Sequence, residues 1–221
     1  MATKKSVVRP TEDAPTALTF NALQTAYTFF NTELFGGKLP NCIILLHRKK
    51  GAHGYYWAER FGTRDTKSKI DEIALNPTSM RDRDDRTTLS TLVHEMCHLE
   101  QQHFGKPGKG AYHNKEWGDM MRRVGLEPVN AADKRKPPLG TKVTHTIVEG
   151  GVFDTACATL LKSGLSLPYS ERRFTVEEKT RARAKRASKT KFTCPSCDAA
   201  CWGKPTLQVI CAECEELMEA E

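Results

Sequence analysis

Apolar spacing along the chain sets the first expectations. From Thr19 onward, Phe20, Leu23, Tyr27, Phe30 and Leu34 recur three and four residues apart, which predicts a helix with one buried face that Gly36-Gly37 stops. Cys42 to Leu46 is a short apolar run read as a strand, and Gly54 to Phe61 and Lys69 to Leu75 follow as two more, giving a small, mostly antiparallel sheet. Leu89, Leu92, Met96 and Leu99 mark a second long helix, with Asp84, Asp85, Thr87 and Thr88 as capping groups and Gly105 and Pro107 at its end. Asn114 to Val124 reads as a shorter helix closed by Gly125 and Pro128. Beyond Lys134-Arg135-Lys136-Pro137-Pro138, which cannot be helical throughout, Thr141 to Val148 alternates like a strand and Gly150-Gly151 breaks it. Val152 to Leu161 carries Phe153, Ala156, Cys157, Leu160 and Leu161 on one side of a short helix, which either packs on the core or bridges to the tail. The class is α+β, with helices packed on a small sheet.

The polar face of the second long helix carries the chemistry. Its residues His94-Glu95-Met96-Cys97-His98 place two imidazoles about 40° apart on one face, with the leucine stripe at roughly 140–220° behind them. Glu95, about 100° round from His94, is near enough to take a proton from a water at a metal without being a ligand, the arrangement of a zinc peptidase. Cys97, at about 300°, reads as a small residue flanking the core. A catalytic zinc takes three protein groups, and His113 is the leading third ligand, because the glycine-rich link Gly105-Lys106-Pro107-Gly108-Lys109-Gly110 can turn the chain back and His113 stands at the entrance of the next helix. His47, His53, His103 and His145 are left out of the ligand set; His145, in Thr144-His145-Thr146, could approach the site from a later segment.

Composition adds a tail to this core. Apolar residues at 38% and charged ones at 28% suit a water-exposed chain with some mobile sequence, and no run approaches the roughly 20 apolar residues of a membrane span. Met1 to Pro15 is polar, lacks a secretory core and is expected to be disordered, which places the protein in the cytoplasm or nucleoid. The net charge of +7 is concentrated in one segment, where Arg172, Arg173, Lys179, Arg181, Arg183, Lys185, Arg186, Lys189 and Lys191 face only Glu177 and Glu178. Such a segment binds phosphate backbones irrespective of sequence, or is a solvated charged helix or linker with no partner. Five of the eight cysteines follow it. Cys194-Pro195-Ser196-Cys197 and Cys211-Ala212-Glu213-Cys214, thirteen residues apart, have the spacing of a four-cysteine zinc ribbon. Cys201 is left out, with ligand swapping as the alternative.

These motifs carry a family resemblance. The pentapeptide, the glycine-containing loop and His113-Asn114-Lys115-Glu116-Trp117 resemble the SprT-like zinc metalloproteases, whose pattern is HExxH, a variable loop, then a His followed by a short polar segment, Glu and an aromatic. The likeness extends upstream to Thr19 and downstream to the cysteine pairs, and Asn114 stands where many members have Gly. The resemblance implies a zincin-like core over residues 16–130, a connecting region with a basic linker over 131–190 and a zinc ribbon over 191–221. It implies two Zn2+ ions: a catalytic one on His94, His98 and His113, with Glu95 as general base, and a structural one on the four ribbon cysteines. Tyr112, Tyr55 and Tyr56 are candidates for stabilising the oxyanion, and the third strand, near Ile73 to Asn76, for the edge that takes an extended substrate. Because the family includes a DNA-dependent protease of DNA–protein crosslinks, the implied partners are DNA and proteins bound to it, with no membrane. Two rivals stand beside this reading: a nucleic-acid-binding zinc protein whose HExxH site is structural or vestigial, and a zinc hydrolase of small amides.

Overall fold

The computed structural model describes residues 13–65, 67–110, 112–186 and 189–221; residues 1–12, expected to be disordered, lie outside them. The chain divides into two compact units, Met1–Arg172 and Arg173–Glu221.

The first unit opens with helix α1, Pro15–Phe35. It starts earlier than the apolar spacing suggests because Pro15, whose fixed φ and missing N–H suit the first helical position, begins it. Gly36 ends it in the left-handed conformation (φ 65°), and the Gly37 N–H returns to the Asn31 carbonyl at 2.8 Å. Leu23, Tyr27, Phe30 and Leu34 are buried as the spacing predicts, whereas Phe20 faces outward.

Strands β1 (Ile43–Leu46), β2 (Gly54–Gly62) and β3 (Lys69–Leu75) form a sheet in the order β1-β3-β2. Two expectations are corrected here. The sheet is mixed, since β1 runs parallel to β3 and only β2 is antiparallel to it. β3 is the central strand, so its main-chain groups are occupied on both sides and it offers no substrate edge; the outer strand β2 does. Sequence spacing could not reveal this, because β2 and β3 form a local hairpin while β1 reaches the far side of β3 through a crossover. Glu59, in the left-handed region at φ 52°, makes a bulge between Trp57 and Phe61, held by its N–H to Asp71 Oδ1 at 2.7 Å.

Helix α2 (Pro77–Met80) leads into α3 (Asp85–Phe104), whose N-cap Asp84 accepts from the Thr87 N–H at 2.7 Å. Helix α4 (Lys115–Arg123) packs on α3 and turns at Gly125 into β4 (Leu126–Asn130). This strand was not anticipated, because Pro128 in its middle reads as a stop; it pairs on one side only, with β5 (Val143–Ile147), where a proline is tolerated. Helix α5 (Val152–Lys162) closes the core: Phe153, Cys157 and Leu160 are buried, and the Phe153 ring lies 5.6 Å from that of Phe30. Of the two roles open to this segment, packing on the core is the one observed.

In the second unit, helix α6 (Val176–Arg186) starts with a capping box, Thr175 Oγ1 accepting from the Glu178 N–H and Glu178 Oε2 from the Thr175 N–H. Strands β6 (Thr190–Thr193), β7 (Ala200–Gly203) and β8 (Glu219–Ala220) follow in the order β7-β6-β8, all antiparallel.

Gly125 has φ 84°, and a Cβ there would lie 2.9 Å from the backbone nitrogen of Phe153. Gly125→Ala is therefore expected to destabilise the first unit by about 1–3 kcal/mol, read as a lower denaturant midpoint at unchanged slope.

Candidate metal centre

Helix α3 is buried on nearly every side. The leucine stripe behind it, Leu89, Leu92, Met96 and Leu99, is fully covered, as is Cys97, and the polar front is covered too: His94 is 8%, Glu95 5% and His113 6% exposed. Only His98 is half-buried. His103 sits at the exposed end of the helix, its Nε2 2.5 Å from Asp71 Oδ2 and away from the other three.

His94, His98 and His113 each present a ring nitrogen within 4.8 Å of the others. The Nε2 atoms of His98 and His113 are 3.1 Å apart, close to the roughly 3.3 Å that two imidazoles share on one tetrahedral zinc. His113 reaches this point through a main-chain bridge to Gly140: its N–H bonds the Gly140 carbonyl at 2.9 Å, and the same oxygen accepts Nδ1–H at 2.8 Å. That bond leaves Nε2 of His113 with its lone pair free, the form a metal needs. Asn114 caps α4 through the Trp117 N–H and accepts from Gln101 Nε2 at 2.7 Å, so the residue that departs from the family pattern pins α4 to α3. The Trp117 ring lies against all three imidazoles, with centroids 4.9 Å from His94, 5.1 Å from His98 and 4.3 Å from His113.

Burial controls the charge of the cluster. It drives His94 far below its ordinary value, with His145, His98 and His113 adding to the effect, and it takes His98 to about 3 and His145 to about 4. His113 is lowered by burial against the opposing bond to Gly140. The imidazoles are thus neutral at physiological pH and offer lone pairs. Burial pushes Glu95 up to about 8, against the pull of Lys49. The donor set, its spacing and its protonation fit zinc.

The tyrosines divide. The Tyr55 hydroxyl donates to Glu72 Oε1 at 2.5 Å, and Tyr56 lays its ring nearly parallel to that of His98, with centroids 6.4 Å apart. Tyr112 is exposed beside His113.

In the second unit Cys194, Cys197, Cys211 and Cys214 form a second cluster, and Cys201 lies outside it, opposite Phe192 in the β6–β7 ladder. Cys197 and Cys211 Sγ are 3.7 Å apart, against roughly 3.8 Å for two thiolates on one tetrahedral zinc. Both knuckles have the same build. Asp198 and Glu215 follow them at φ 56° and 55°, and their N–H groups return to the Cys194 and Cys211 carbonyls at 3.0 and 2.8 Å. The N–H groups of Cys214 and Glu213 lower the Cys211 thiol to about 7.

Of the basic residues, Arg172, Arg173, Lys179, Arg181 and Lys189 are exposed, while Lys191 is paired with Glu221 at 2.8 Å. Arg183, Lys185 and Arg186 fall on α6, with side chains outside the described residues. Among the described residues no helix is long and apolar enough to cross a membrane.

Two further residues stand at the site: His145, left out of the ligand set though able to approach from a later segment, and Gly140. His145 places Nδ1 3.0 Å from Nδ1 of His94; its signal was a histidine between Val143 and Ile147 on the inward positions of an alternating strand. Gly140 acts through its carbonyl, which no side-chain pattern reveals.

Residues 23–137 match the SprT-like family, just over half of the chain. The chain belongs to the SprT-like family. A Salmonella typhimurium relative called "Uncharacterized protein in mucB 3'region" is 44% identical over 66 residues, which are 30% of this chain and 89% of the relative. The SprT-like family is broadly one of metallopeptidases, and both clusters of this member fit zinc.

The second unit has a small core of Phe192, Met218 and the cysteines themselves, so a metal held by the four cysteines would supply folding free energy on the order of 10 kcal/mol. A chelator is expected to abolish amide protection over residues 190–221 while α1 and α3 keep theirs, measured by hydrogen exchange. Gly54, where β2 meets α3, has no room for a Cβ: it would lie 2.8 Å from the Ala74 carbonyl, 2.9 Å from Thr91 Cγ2 and 3.2 Å from Glu95 Oε1. Gly54→Ala is expected to cost about 1–3 kcal/mol of stability in a thermal melt.

Proposed function

We propose that this SprT-like protein is a zinc-dependent endopeptidase that acts on proteins associated with nucleic acid. The observation that carries the reading is the meeting of three neutral imidazoles, two buried and one half-buried, at zinc-ligand spacing, with Glu95 on the adjoining position of the same helix. Bound by His94, His98 and His113, zinc supplies the Lewis acidity that polarises a scissile carbonyl and acidifies a water molecule. Glu95, on the adjoining position of the same helix, would take a proton from a water held at that site and pass it to the leaving amine. His113 is oriented by Gly140, and Trp117 holds the three rings together from one side. An extended substrate adds to the outer edge of β2, which lies on α3 beside Glu95 at Gly54; its main-chain hydrogen bonds are indifferent to sequence. Tyr55 is engaged by Glu72, which leaves Tyr56, whose hydroxyl is buried without a hydrogen-bond partner among the described residues and whose ring lies beside His98, and Tyr112, exposed next to His113, as the tyrosines for the oxyanion.

The basic segment and the ribbon provide the second half of the proposal. Lys179 and Arg181 on α6, with Arg172, Arg173 and Lys189, give an exposed cationic stretch suited to phosphates; DNA–protein crosslinks as the substrate type, in the cytoplasm at the nucleoid, follow from the family resemblance. The deep burial of His94, Glu95 and His113 supports a second reading, in which the site is structural and the protein binds nucleic acid without cutting.

One experiment separates the two. The purified chain is incubated with a DNA-bound protein, with and without DNA and a chelator, beside Glu95→Gln. Fragments are expected from the wild type with DNA present, none after chelation, and a roughly thousandfold slower rate for Glu95→Gln with its zinc content intact. An inert wild type that still binds DNA would establish the structural reading instead.

A further inference from the structure

His145 is held at both ends. It stands on β5 opposite Pro128, with Nδ1 3.0 Å from His94 Nδ1 and Nε2 2.9 Å from Ser90 Oγ. The far end of this chain of bonds fixes its direction. The Thr87 carbonyl can only accept, and the Ser90 hydroxyl, 2.8 Å away, donates to it. The Ser90 oxygen is left to accept, so His145 carries its proton on Nε2 and presents a bare Nδ1. His94 then donates from Nδ1, which leaves its Nε2 as the nitrogen with a free lone pair. The reverse order, with the proton of His145 on Nδ1, would place the proton of His94 on Nε2 and remove that nitrogen as a ligand. His113 receives the equivalent support from the Gly140 carbonyl through its own Nδ1 at 2.8 Å.

We propose that His145, backed by Ser90, is a positioning residue that fixes the tautomer and ring orientation of His94 for metal binding. The inference rests on the reading of His94, His98 and His113 as metal ligands. It assigns β4 and β5 a role at the site: the hairpin carries His145 to the side of α3, two positions from the point where Ile147 closes on Leu126. Outer partners of this kind change metal affinity by roughly 10–100-fold when removed.

The test is titration of the metal-free full chain with cobalt, whose thiolate charge-transfer bands report the ribbon and whose weaker visible bands report the nitrogen site. The ribbon thus serves as an internal standard in every variant. His145→Leu is expected to weaken cobalt binding at the nitrogen site by roughly 10–100-fold and to leave the ribbon unchanged. His145→Gln can accept from His94 with its amide oxygen and donate to Ser90 with its nitrogen, and is expected to recover affinity to within a few-fold of wild type. Ser90→Ala keeps the ring and removes its anchor; a several-fold weakening is expected, and this variant stands in if His145→Leu does not fold. Wild-type affinity in His145→Leu or Ser90→Ala, or a Gln variant as weak as Leu, would overturn the proposal. Failure of the wild type itself to show nitrogen-site bands would instead remove the ligand reading on which it stands.

Discussion

A helix covered on nearly every side carries buried polar side chains only where a neighbouring element supplies a partner, and the middle of α3 is such a stretch. Its histidines meet His113, whose orientation comes from Gly140; Gln101 donates to both Asn114 and Glu116 at 2.7 Å. Glu100, 2% exposed, is paired with Arg123 and, at 2.8 Å, with Lys38. Unpaired, each of these groups would carry a desolvation cost of several kcal/mol. The loop after α3, the capping of α4 and the return at Gly140 are therefore one solution to one problem: satisfying a buried polar helix face while leaving ring nitrogens gathered.

Much of this was readable in the residues, and the limits have physical causes. The caps of α3 were legible because Asp84 and Gly105 act through local chemistry, and the ribbon because paired cysteines at that spacing have few other uses. Strand order was not legible, because which side of β3 receives β1 depends on a crossover rather than on any local pattern. β4 was hidden by Pro128, which is a breaker in a central strand and acceptable in one paired on a single side. At the site, His94 and His98 stood out through their spacing, whereas His145 lay fifty-one residues from His94, and only its place between Val143 and Ile147 marked it as a residue that could approach. The burial of Glu100 and Gln101 was equally silent, since their partners Arg123 and Asn114 come from another helix.

The two units are built on different physics. The first holds a core that runs from Leu23 to Leu160 and joins α1, α3 and α5 through large side chains such as Phe30 and Phe153. The second has four buried residues at its centre, two of them cysteines, and relies on symmetrical turns to bring its sulfur atoms together. Hydrophobic burial is extensive in one, and the other has little of it beside a cysteine cluster that fits zinc.

The bulge at Glu59 has a consequence for how copies of this molecule meet one another. An outer strand of regular pleat is a template for sheet growth between chains, and β2 is nine residues long. The kink interrupts its register after Trp57, and Arg60 lays its guanidinium over the Trp57 ring at 4.5 Å, placing a fixed cation on the exposed apolar surface. A passing strand in step with Gly54 to Trp57 meets the kink next, and the interrupted register blunts this border against edge-to-edge growth.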